Sequence, residues 1–169
     1  MYIIEDRKEV EDFIHKVFNY YNGRINRIIP SFINIEWILD DLNTLGFTNV
    51  AGTVTIYPMV FQYYSDSKIY FNLNIIMAII HELHHVDQYI EYNQMHYRKD
   101  FVESIEFPVE FMTWCYIANH KCEISELTGG YCYNNDELNC NINKYSGYQY
   151  NYYRIRSIHD YIFTILDDI

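Results

Sequence analysis

The chain reads as an α+β protein forming one domain over residues 1–169, and three observations carry that expectation. Apolar residues recur at three- and four-residue steps near the N-terminus and again in a long central stretch without Gly or Pro, which is helical periodicity. Between these stretches lie short runs of β-branched and aromatic residues punctuated by turn formers, which is strand periodicity. Finally, 50% hydrophobic and 18% aromatic residues in a chain of 169, with only three prolines, supply enough apolar surface for one core without obligatory disulfides or metals. A short antiparallel or mixed sheet with helices packed on it is the expected architecture.

The elements follow in order. From Glu5 to Tyr21, the positions of Val10, Phe13, Ile14, Val17, Phe18 and Tyr21 predict an amphipathic helix ended by Asn22-Gly23. A shorter helix is expected from Ile35 to Leu45, closed by Gly46 in a left-handed cap. Val50 to Tyr64 reads as strand, Ser65-Asp66-Ser67 as a turn and Lys68 to Asn72 as a further strand, so two or three short antiparallel strands are expected. Asn74 to Tyr92 is the long central helix, with Asn74 as its cap and a first half that is apolar all round, hence buried. Pro108 predicts the start of another helix, because proline suits a first turn and disfavours helix in the residue before it. Thr128 to Gly147, rich in Gly, Asn and Tyr, reads as loop, and Tyr150 to Leu166 as a final amphipathic helix.

Charge and composition exclude several classes. Twelve basic against twenty-three acidic residues give a net charge of −11, which repels phosphate backbones, and no basic cluster offsets it, so no nucleic-acid partner is expected. The N-terminus has acids where a signal peptide carries basic residues, and the aliphatic run Ile75 to Ile80 is too short to cross a bilayer. No membrane association and a cytoplasmic location are therefore expected. The preference for Ile, Asn, Tyr and Lys points to an AT-rich genome, as in a low-GC bacterium or its phage, and carries no functional information. Cys115, Cys122, Cys132 and Cys140 contain no Cys-x-x-Cys pair and read as reduced thiols. The alternatives are a disulfide from Cys132 to Cys140 or Cys122, and a structural zinc on His120, Cys122, Cys132 and Cys140.

The informative motif is His81-Glu82-Leu83-His84-His85 inside the central helix, an instance of His-Glu-x-x-His. At about 100° per residue, His81 and His85 lie about 40° apart on one face, so both imidazoles reach one metal ion. Glu82, about 100° round from His81, stands beside such an ion rather than on it. There it serves as base towards a water whose pKa the metal lowers from about 15.7 towards 7. A zinc site of this kind needs a third protein ligand and an open fourth position. Glu103, Glu106 and Glu110 are the candidates. Pro108 places Glu110 in the first turn of a rigid helix and leaves the other two in the connection, which favours Glu110. In the alternative, Glu106, 21 residues beyond His85, is the ligand, and Glu110, four further on, steadies a ligand histidine.

His81-Glu82-x-x-His85 followed by a helical glutamate resembles the gluzincin zinc metallopeptidases. It is most similar to the small single-domain members related to the ImmA/IrrE-type and other phage- and plasmid-borne peptidases. The resemblance spans about forty residues, Asn74 to Trp114, including Leu83-His84-His85-Val86-Asp87-Gln88 and Pro108-Val109-Glu110. It implies a minimal zincin-like α+β fold, with the sheet packed on an active-site helix and a glutamate helix. It also implies Zn2+ held by His81, His85 and Glu110, with Glu82 as general base. The Glu-x-x-Ala run common in such glutamate helices reads Glu110-Phe-Met-Thr113 here. Metzincins need Gly and His where this chain has Gln88 and Glu91, peptide deformylases need an upstream Cys, and inverzincins reverse the motif.

Among the neighbours, His84 is expected at the surface or behind a ligand, while Gln88, on the following turn, is one residue that could hydrogen-bond near the metal. Tyr152, Tyr153 and His159 are candidates for the donor that stabilises an oxyanion. The functional expectation is a zinc-dependent peptidase acting on a peptide or protein substrate, which could pair with an edge of the sheet. The alternative is a non-catalytic, metal-stabilised binding protein that engages a host protein through its acidic, Tyr-rich surface.

Overall fold

A computed structural model of the chain describes residues 1–25, 31–38, 41–49, 51–88 and 105–148. In order, these form α1 (Arg7–Ile25), β1 (Phe32–Ile35), β2 (Gly46–Thr48), β3 (Thr53–Ile56), α2 (Pro58–Tyr64), α3 (Lys68–Asp87), α4 (Phe107–Asn119), α5 (Lys121–Thr128) and α6 (Asn135–Tyr145), followed by a 3-10 turn at Ser146–Tyr148. The protein is α+β, as expected.

The sheet is small and mixed, in the order β1-β3-β2. β1 runs parallel to β3 with Phe32 opposite Thr53, and β2 runs antiparallel to it with Gly46 opposite Ile56. Asn49 fixes the β2–β3 turn by accepting from the backbone N–H groups of Ala51 and Thr53 through its side-chain oxygen. Gly52 completes that turn at φ 83°, a conformation that a side chain disfavours. The inner face of the sheet contributes Val54 and Ile56 to the core.

α3 is the axis of the molecule. Its apolar residues point in every direction because α1 covers one side, α4 another, and β2, β3, α2 and α5 the rest. Ile75, Ile76, Ile79, Ile80 and Leu83 are buried against Ile14, Val17 and Tyr21 of α1 and Ile117 of α4. Side chains so confined hold the helix in one rotation about its axis, which fixes where the histidines of its last turns point. Among the described residues, no helix is long and apolar enough to cross a membrane.

Several elements differ from the sequence expectation. α1 continues through Asn22 and Gly23 to Ile25. No helix forms at 41–45, and Gly46 opens a strand instead of capping a helix. There Asp41 accepts from the Asn43 N–H and the Thr44 hydroxyl, local bonds that compete with helical ones. Among the described residues of the run, 51–64, strand forms only at Thr53–Ile56; Pro58 then starts α2, its missing N–H costing nothing in a first turn. Lys68–Asn72 is the first turn of α3 and not a strand, with the Ser67 hydroxyl accepting from the Tyr70 N–H as cap. Asn74 therefore lies inside the helix, where it accepts from the Tyr133 hydroxyl at 2.6 Å. Asn135–Tyr145 is helix where loop was expected. The helix expected at Tyr150–Leu166 and the end of the central one at Tyr92 lie outside the described residues.

Candidate metal centre

One turn apart on α3, His81 and His85 bring their Nε2 atoms to 3.0 Å from each other. Glu106, in the turn entering α4, closes the triangle: Oε2 lies 3.1 Å from His81 Nε2 and Oε1 lies 3.1 Å from His85 Nε2. Among the described residues this is the one group of three or more His, Cys, Asp or Glu side chains whose ligand atoms converge as a metal site requires. Both histidines are buried. Ring nitrogens and carboxylate oxygens all offer lone pairs, so a proton or a cation must lie among them.

The other ring nitrogens are aimed by partners. His85 Nδ1–H donates to Gln88 Oε1 at 3.1 Å, which leaves the Nε2 lone pair facing the cluster. Gln88 therefore lies within reach of the site. At His81, Glu110 Oε1 lies 3.0 Å from Nδ1, close enough to pair although off the line of a hydrogen bond. Glu110 is held in turn by the Trp114 indole N–H, which donates to Oε2 at 3.0 Å. The third position of the cluster thus differs from the favoured expectation. Glu106 occupies it, and Glu110 stands behind His81. Pro108 does not leave Glu106 in an irregular connection, because Glu106 already has helical angles, φ −70° and ψ −49°, at the entry of α4.

The electrostatics match this packing. Burial alone disfavours an imidazolium, yet the carboxylates of Glu106 and Glu110 outweigh it and hold the His81 pKa well above its ordinary value. Burial likewise opposes charge on both acids, but His85 and His81 hold Glu106 well below the usual carboxylate range, and His81 with the Trp114 indole lowers Glu110. The cluster is built around paired charge, and a cation can take the place of the proton it otherwise shares.

Glu82 lies outside the triangle, as its place on the helix dictates. It lines a cavity of about 310 Å³ together with His81, Glu106, Glu110, Gly46 and Met77. The Thr48 hydroxyl, on β2, donates to Glu82 Oε2 at 2.5 Å and also lies 3.1 Å from the Glu82 carbonyl oxygen. Gly46 permits the strand to come this close, since a Cβ there would sit 3.1 Å from Glu82 Cγ and 3.2 Å from the Thr55 carbonyl oxygen.

His84 is buried, not at the surface. Its Nδ1 donates to the Ile80 carbonyl at 2.9 Å, and its ring meets Tyr116 edge-on. The four cysteines are free thiols, two of them exposed, and His120 with Cys122, Cys132 and Cys140 is not brought together as a ligand set. Glu103, Tyr152, Tyr153 and His159 lie outside the described residues. Sequence reasoning missed Thr48 and Trp114. Trp114 had a signal, standing four residues from Glu110 on a helix, whereas Thr48 is 34 positions from Glu82 and had none. Comparison of the chain with protein-family models, curated proteins and solved structures returns no match.

Proposed function

We propose that this protein is a zinc-dependent peptidase in which His81, His85 and Glu106 hold the ion and Glu82 is the general base. The observation that carries the reading is the convergence of His81, His85 and Glu106, whose ligand atoms lie within 4.8 Å of one another, beside a carboxylate that lines an open cavity. Each of the three residues offers one ligand atom, and zinc bonds of about 2.0–2.1 Å could bridge that span. Two imidazoles and one carboxylate suit zinc by ligand type and leave a fourth position free. The resemblance to gluzincins points the same way and supplies peptide bonds as the substrate class.

When bound, the cation supplies Lewis acidity, lowering the pKa of a water from about 15.7 towards 7. The chain's own residues do the rest. Glu82 Oε2 is tied to Thr48, and Glu82 lines the cavity, where its carboxylate takes a proton. The same carboxyl then returns the proton to the leaving amine. Gln88 and Glu110 keep the imidazoles aimed throughout.

Elemental analysis of protein purified without chelator or metal-affinity steps should find close to one equivalent of zinc. Glu82→Gln should retain that metal and lose hydrolysis of casein by about 10²–10⁴-fold, the usual contribution of a general base. Absence of metal sinks the site, and parental cleavage by Glu82→Gln sinks the mechanism.

A further inference from the structure

We infer that Thr48 is a positioning residue for Glu82, and that the edge strand β2 serves as a brace that fixes the carboxylate for its task; this rests on the peptidase reading. A glutamate on a helix beside a cavity has three side-chain torsions to settle, and nothing in α3 itself settles them. Two contacts from β2 do. The Thr48 hydroxyl reaches across from the strand to Oε2, and the bare Cα of Gly46 lets the backbone come up against Cγ. Thr48 is 1% exposed, so its hydroxyl has left water for this bond. A purely structural role at a buried strand position is met as well by valine, which has the same shape, so the hydroxyl points to the carboxylate as its purpose. Of its two nearby acceptors, the charged oxygen is the stronger and takes the single proton.

The consequence is directional. With Oε2 tied, the side chain is kept from turning towards the metal cluster to become a fourth ligand, and Glu82 stays at the cavity it lines. A base held in this way contributes through preorganisation, which appears in turnover more than in substrate binding.

The test uses the full-length, zinc-loaded protein with fluorescently labelled casein and a mixed-sequence peptide library as probes. Thr48→Val should keep metal content and KM close to parental, within about twofold, while kcat falls about 10–100-fold, the scale set by misplacing a catalytic group. Thr48→Ser should restore kcat. A second readout needs no activity: the side-chain carboxyl ¹³C resonance of Glu82 in glutamate-labelled protein, identified by its absence from Glu82→Gln. That resonance should move in Thr48→Val and return in Thr48→Ser. Thr48→Ala replaces the valine variant if the latter does not fold. A resonance unmoved by loss of the hydroxyl, or parental kcat in Thr48→Val, overturns the brace. A parent that cleaves neither probe overturns the peptidase reading alone, and the resonance still decides whether Thr48 holds Glu82.

Discussion

His84 and His85 are neighbours on one buried helix, and the protein treats them in opposite ways. His84 turns to the side where α4 presents Thr113 and Tyr116; its Nδ1 is answered by the Ile80 carbonyl of its own helix. His85 turns to the side where the chain entering α4 presents Glu106, and its Nε2 meets a carboxylate and a second imidazole within 3.1 Å. Residue type, helix and burial are shared. Among the described residues, what differs is the chemistry of the surface that faces each ring. A histidine-rich motif becomes a candidate site only where a second element brings negative charge to it and a third leaves an open space beside it.

The sharpest way to break this comparison is to delete each ring. His85→Ala should abolish metal retention outright, read by elemental analysis after dialysis. His84→Ala should keep the metal and lower thermal stability instead, by on the order of 2 kcal/mol for a buried ring and its hydrogen bond. Equal metal loss in both variants would dissolve the distinction between the two faces. The next effect in size concerns the acids. Glu106→Ala should strip the metal, whereas Glu110→Ala should weaken its affinity by about 10–100-fold, as expected for a group that steadies a ligand without being one. The reverse order would return Glu110 to the third position that the sequence first suggested. The smallest effect belongs to Trp114→Phe. It keeps the aromatic contact with Tyr133 but removes the N–H that holds Glu110 Oε2. Metal affinity should drop by less than tenfold, measurable by competition with a chromophoric chelator.

How far the sequence reaches depends on the range of the interaction. The histidine pair was legible because helical geometry alone puts positions 81 and 85 on one face. The relation between Glu106 and Glu110 was legible only as a pair of alternatives. Their four-residue spacing puts both acids on one side of α4 and its entry, but which one meets the ring nitrogens depends on how α4 packs on α3. The error at Lys68–Asn72 has the same root. Ile69, Tyr70 and Phe71 favour strands locally, and burial of Phe71 and Leu73 along α3 overrides that preference. At Asn135–Tyr145 the cue was present: Asn134 accepts from the Glu137 N–H at 2.8 Å and donates to its carboxylate at 2.9 Å, a pairing at the spacing of a capping box. Few apolar residues follow it, so periodicity stayed silent. Thr48 and the cavity needed the sheet, and no local rule supplies a contact across 34 positions.

The position of Glu106 has a further consequence in polymer terms. His85 and Glu106 stand 21 positions apart, so a cation gripping both closes a loop of that length, much as a disulfide does. The chain-entropy argument for such a cross-link removes about 3 kcal/mol of freedom from the unfolded chain. In the proposed site the ion would do two jobs with one set of bonds, chemistry in the cavity and tethering of α4 to α3. Loss of metal should loosen the seam between these helices before it disturbs the packing of α1 on α3, where no bond passes through the ion.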